Sequence, residues 1–148
     1  MAAFDGISFH HVGISVKSMD TAKAFYCDKL GFSVLWENQG RGGEPLSRVV
    51  AMPDVNVNIC MLEGYGMRIE LFQYLNPAGK DRGEQRQCDF GLIHIALKVP
   101  HIQPIYEALS AKGVRFNAPP QPMRPGVIAT YMRDDEGNTI EIIENNAD

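Results

Sequence analysis

The sequence predicts an α+β fold built from two similar halves, each running strand, helix and then three strands. Three observations carry that prediction. The segment His11-Val12-Gly13-Ile14-Ser15-Val16 is echoed by His94-Ile95-Ala96-Leu97-Lys98-Val99. Each is followed by apolar residues at helical spacing that stop at a glycine. Each half then closes on a strand with a glutamate between aliphatic neighbours, Arg68-Ile69-Glu70-Leu71 and Thr139-Ile140-Glu141-Ile142. A unit that recurs in this order implies a repeated shape.

In the opening strands, branched residues fall at every second place, Val12, Ile14 and Val16 in one and Ile95, Leu97 and Val99 in the other. One face is therefore strongly apolar and both histidines point to the opposite face. The first helix is expected over Met19 to Leu30 on the spacing of Ala22, Phe25, Tyr26 and Leu30, capped by Ser18 or Asp20 and ended by Gly31. Ile102, Ile105, Tyr106 and Leu109 repeat the pattern, and Gly113 ends it.

Further strands are expected at Ser33 to Glu37, Ser47 to Ala51, Asn56 to Leu62 and Arg68 to Tyr74 in the first half. In the second they are Arg115 to Asn117, Ile128 to Arg133 and Thr139 to Glu144. Gly64, Gly66 and Gly137 supply turns before the two closing strands. Leu75 to Phe90 breaks periodicity and collects Asn76-Pro77, Gly79, Gly83 and several charges, so it reads as the linker between halves. Asn117 to Gly126 holds Pro119, Pro120, Pro122 and Pro125, which exclude a regular helix or central strand and leave a stiffened loop.

At 148 residues and 45% hydrophobic content the chain is large enough to bury one core, so residues 1–148 are expected to form one domain. Its first module spans about 7–75, its linker about 76–90 and its second module about 91–145, on the periodicity above. A net charge of -4 with 22% charged residues offers no basic face, which argues against nucleic acid and against membrane surfaces. No stretch approaches the roughly 20 apolar residues of a membrane helix, and the start, Met1 to Gly6, lacks the blocks of an export signal. A cytoplasmic protein is expected. Cys27, Cys60 and Cys88 are odd in number and scattered, so they read as reduced thiols, mostly core-filling.

A histidine and a glutamate recur at matching places in the two halves. If the halves are related by a pseudo-twofold axis and their sheets curve toward one another, His11, Glu70, His94 and Glu141 converge on one cavity. A carboxylate buried without a partner costs several kcal/mol, and a divalent ion would satisfy all four groups. Two imidazoles and two carboxylates without a thiolate suit nickel, cobalt, zinc, manganese or iron. An octahedral ion held by four protein groups keeps two positions for a substrate with adjacent oxygens. His10 competes with His11 for the role, and alternation and the echo at His94 favour His11.

These residues resemble the vicinal oxygen chelate superfamily from about Ile7 to Glu144. Besides the strands already quoted, the resemblance rests on Ala24-Phe25-Tyr26 with Leu30-Gly31-Phe32, and on Asp134-Asp135-Glu136-Gly137-Asn138-Thr139-Ile140-Glu141. It implies two βαβββ modules whose curved mixed sheets enclose a metal-binding cavity, as in glyoxalase I, methylmalonyl-CoA epimerase, extradiol dioxygenases and fosfomycin resistance proteins. Bleomycin-binding relatives share the fold without the metal.

The ligand set is most similar to that of glyoxalase I, because dioxygenases and fosfomycin-modifying members generally lack the ligand that Glu70 would supply. The resemblance therefore implies a lyase or isomerase that moves a proton through a metal-bound enediolate, with Glu141 as base and Glu70 as its partner. An iron(II) extradiol-type dioxygenase and a non-catalytic antibiotic-binding protein are the alternatives. The epimerase places glutamine at the position of Glu70, and its catalytic carboxylate would fall in Ala51-Met52-Pro53, which argues against methylmalonyl-CoA. Ser15 and Tyr74 stand where bacterial glyoxalase I carries glutathione-binding residues, which argues against glutathione. Phe72 and Tyr74 suggest aromatic cavity walls for a small-molecule substrate, and Arg68 and Arg124 are candidate clamps for a substrate carboxylate. The resemblance also implies a homodimer.

Overall fold

The computed structural model describes residues 6–147. The reading of Met1 to Asp5 as lacking an export signal lies outside the described residues. The element order is β1 (Val12–Ser15), α1, β2 (Ser33–Gly42), α2 (Glu44–Val49), β3 (Asn56–Gly64), β4 (Met67–Asn76), β5 (His94–Lys98), α3 (Ile102–Ala111), β6 (Arg115–Phe116), β7 (Gln121–Arg124), β8 (Val127–Arg133) and β9 (Thr139–Asn145). Helix α1 winds as an α-helix over Met19–Lys23 and as a π-helix over Ala24–Lys29. The fold is α+β with two mixed sheets. Among the described residues no helix is long and apolar enough to cross a membrane.

The chain packs as two compact units. One holds the described residues through Met19 together with Phe32–Gly79, the other Asp20–Gly31 together with the described residues from Lys80 on. Helix α1 is thus grouped with the second sheet, although the order of elements places it in the first module.

In the first unit the strand order is β1-β4-β3-β2, with β1 parallel to β4 and the other pairs antiparallel. Cys60, Leu62, Ile69 and Leu71 are fully buried on one face, which is the core that the alternation of these strands predicts. The strand expected at Ser47 to Ala51 is instead part of helix α2 and the turn after it. Pro45 sits in the first helical turn, where its missing N–H costs nothing. Leu46 and Val50, four residues apart, pack against Val55, Val57 and Ile59. The helical spacing of these contacts decided the outcome. Ala51 then turns the chain at φ 55°.

The second unit repeats the connectivity, with β5 parallel to β9, β9 antiparallel to β8, and both β6 and β7 on the far edge of β8. The proline-rich stretch expected to be loop therefore contributes β7, an exposed and irregular edge strand. An edge position is where a strand tolerates Pro122. On the apolar face, Tyr106 and Phe116 meet edge to face at 4.8 Å. Phe25 and Tyr26 of α1 are fully buried.

Tyr26 Oη donates to Asp134 Oδ2 at 3.0 Å. Asp134 Oδ1 also accepts from the backbone N–H groups of Glu136 and Asn138, and Oδ2 from Asn138 Nδ2. One buried carboxylate so closes the β8–β9 turn and ties α1 to it. Of the cysteines only Cys60 is buried; Cys27 is half-buried and Cys88 exposed, because it lies in the aperiodic linker.

Candidate functional site

His11 immediately precedes β1, and in the parallel ladder Gly13 is the register partner of Glu70. Positions two apart share a face, so His11 stands one step along from the glutamate on the same side. Its Nε2 lies 2.9 Å from Glu70 Oε2. On its other edge, Nδ1 meets Nδ1 of His10 at 2.7 Å, a contact in which one ring donates and the other accepts. Gly13 permits the close packing here: a Cβ at that position would stand 3.3 Å from Phe72 Cε2.

The second unit builds the same arrangement with the same register. Ala96 is the partner of Glu141, His94 lies two residues before it, and His94 Nε2 is 3.3 Å from Glu141 Oε2. Both glutamate side chains are 15% exposed. His94 Nδ1 meets Gln87 Oε1 at 3.1 Å, and Gln87 Nε2 donates to Thr139 Oγ1 at 2.9 Å. The His94 and Tyr131 rings lie 5.1 Å apart, and Tyr131 is the antiparallel partner of Glu141. Burial first, and the Glu141 charge second, push the Tyr131 phenol above its usual range.

These spacings fit a divalent cation. Two ligands bound at about 2.1 Å and at right angles to one another lie about 3.0 Å apart, and the two dyads measure 2.9 and 3.3 Å. A bare imidazole nitrogen facing a carboxylate oxygen at that distance is repulsive unless a proton or a cation lies between them. Cys60 sits in the core opposite Leu71 rather than Glu70. The four predicted ligands are brought together two by two, one dyad per unit. Among the described residues no three His, Cys, Asp or Glu side chains gather to hold an ion within either unit.

Arg68, Phe72 and Tyr74 stand at every second residue on the same face of β4 as Glu70. Phe72 and Tyr74 stack at 6.0 Å and pack against the Val55, Val57 and Ile59 cluster beneath α2. Arg68 Nε pairs with Glu63, its cross-strand partner, at 3.0 Å. Arg124 faces Val127, whose partner on β9 is Asn145, four residues beyond Glu141. It lines an open cleft of about 480 Å³ with Pro122, Pro125 and Glu144.

Sequence reasoning missed Tyr131, Thr139 and Gln87. Counting back from the Asp134–Asn138 turn pairs Arg133 with Thr139 and hence Tyr131 with Glu141, so the hairpin carried the signal for two of them. No periodicity marks Gln87.

The sequence profile of the Glyoxalase/Bleomycin resistance protein/Dioxygenase superfamily matches residues 8–142. The chain belongs to this superfamily. It is similar to a protein of Synechocystis sp. described as a probable lactoylglutathione lyase, 27% identical over 140 residues that cover 93% of this chain and 95% of the relative. Among solved structures, a glyoxalase family protein from Bacillus cereus superposes with a TM-score of 0.85 at 23% identity, covering 99% of each chain. A glyoxalase family protein from Enterococcus faecalis reaches 0.70 at 27% identity, covering 93% of this chain and 97% of the other. The superfamily includes enzymes, and its members generally use a divalent metal ion.

Proposed function

We propose that the protein is a divalent-metal-dependent lyase or isomerase of the glyoxalase I and epimerase type, acting on a small substrate that carries two adjacent oxygens. The matched His11–Glu70 and His94–Glu141 dyads carry this reading, because the same register sets both to the spacing of neighbouring ligands. Together they would hold one ion of nickel, cobalt, zinc, manganese or iron. Such an ion supplies a Lewis acid that favours negative charge on the substrate oxygens.

In this reading Glu141 accepts the substrate proton at Oε2 and returns it at a neighbouring carbon, with Glu70 as its partner carboxylate. The relative described as a lactoylglutathione lyase supports lyase chemistry. Ser15 and Tyr74 argue against glutathione as the carrier. The chain acts as a cytoplasmic homodimer: Ile7 and Phe9 before His11, and Phe90 and Leu92 before His94, are exposed apolar residues at the same offsets from each dyad.

Turnover on a panel of 2-oxo and 1,2-dicarbonyl compounds tests the chemistry. Glu141→Gln is expected to lower kcat at least about 100-fold while its circular dichroism stays that of the native protein. Unchanged turnover would remove Glu141 from the base role. Oxygen uptake with catechols would replace the reading with ring-cleaving dioxygenation.

A further inference from the structure

Gln87 lies in the stretch between the two halves, where nothing in the sequence distinguishes it from solvated linker. The structure holds that stretch against the site face of the second sheet. Arg133, 8% exposed, donates through Nη1 to the carbonyl of Gln85 at 2.9 Å and to that of Gly137 at 3.0 Å. Its Nε lies 3.4 Å from Glu84 Oε1. A short turn follows, in which Arg86 N donates to Asp89 Oδ2 at 2.8 Å and the Arg86 guanidinium reaches Asp89 Oδ1 at 2.9 Å. These hydrogen bonds hold the Asp89 carboxyl below its usual range. The segment that carries Gln87 is therefore pinned on both sides.

His94 and Thr139 are register partners on adjacent parallel strands, and Gln87 bridges them. Its amide N–H is given to Thr139 Oγ1, which leaves its carbonyl oxygen facing His94 Nδ1. A carbonyl oxygen only accepts, so in this arrangement His94 Nδ1 carries a hydrogen. Nε2 is then the nitrogen turned toward Glu141 Oε2, and the one that would bind a metal in its bare form. Thr139 is buried, and its hydroxyl holds the amide beside the ring. The first dyad has a different solution, since His11 Nδ1 meets the ring of His10.

We propose that Gln87, held by Thr139, is the positioning residue that keeps a hydrogen on His94 Nδ1 and turns Nε2 toward Glu141. Its consequence for metal affinity rests on the reading that His94 is a ligand; the Nδ1–H contact itself does not.

Long-range ¹H–¹⁵N correlation of the imidazole nitrogens in the metal-stripped full chain tests the position of the hydrogen directly. Wild type is expected to show a hydrogen on His94 Nδ1. Gln87→Ala removes the acceptor, and Thr139→Val, nearly the same shape, removes the group that holds it; both are expected to weaken the Nδ1–H signal, while Thr139→Ser keeps the wild-type pattern. A wild-type ring with hydrogen on Nε2 alone, or patterns unchanged in both Gln87→Ala and Thr139→Val, would overturn the proposal. In a second arm, zinc affinity measured by chelator competition is expected to fall about 10–100-fold in Gln87→Ala. Wild type that binds no zinc but shows the expected Nδ1–H would support the role of Gln87 and refute the metal reading instead.

Discussion

His11 and Glu70 meet at 2.9 Å because Gly13, two residues beyond the histidine, is the parallel-strand partner of the glutamate. His94 and Glu141 repeat that relationship through Ala96 at 3.3 Å. Each dyad is thus a product of register. Side chains alternate along a strand with period two, so a slip of one residue would turn the histidine to the apolar face.

The glycine in the first register pair is open to test. A Cβ on Gly13 would stand 3.3 Å from the Phe72 ring, and the two further methyl groups of valine would press harder. Gly13→Val is expected to destabilise the protein by about 1–3 kcal/mol, read as a lower urea midpoint at constant slope. Phe72→Leu should recover part of that loss in the double variant. Strictly additive losses would show that the ring is not what Gly13 accommodates.

Tyr26 ties helix α1 to the carboxylate that closes the β8–β9 turn. Tyr26→Phe removes one hydrogen bond to a charged acceptor and is expected to cost about 1.5–3 kcal/mol. Burial first, then the charge and hydrogen bond of Asp134, hold this phenol well above its ordinary value of 10.0. The folded value therefore exceeds the unfolded one. The resulting stability is present below the unfolded value and is lost as pH rises from it toward the folded value. Urea titrations should show the gap between wild type and Tyr26→Phe narrowing above about pH 10. A constant gap across that window would contradict the assignment.

Much of this fold is legible in the sequence because its two halves repeat one pattern. The period-two runs at Val12, Ile14 and Val16 and at Ile95, Leu97 and Val99, with helices stopping at Gly31 and Gly113, locate most elements; both glycines take the positive φ that a helix end favours. Glu70 and Glu141 stood out as carboxylates among aliphatic residues. What failed was local. Ser47 to Ala51 is too short for period alone to separate strand from helix, and contacts with Val57 and Ile59 decided for the helix. Prolines excluded a central strand at Gln121–Arg124 but not an edge strand. Gln87 was invisible because its contact with Thr139 joins residues distant in sequence.

Metal should also register as stability. At a hundredfold excess over Kd, a divalent ion bound only to the folded chain contributes about 2.7 kcal/mol, or about 5–10 °C in Tm. Thermal melts with nickel or zinc should show that rise, and a chelator should reverse it. His11→Ala and His94→Ala should each abolish most of it. Melts insensitive to both metals would count against binding by these residues.

Metal stoichiometry of freshly purified protein, measured by elemental analysis on wild type, His11→Ala and Glu141→Ala, tests the central claim most directly. The two variants alter different dyads, in different compact units of the chain. If both dyads hold one ion, wild type carries one metal per chain and each single variant loses nearly all of it. Metal content that neither variant lowers, or that each lowers only by half, would contradict a single shared ion.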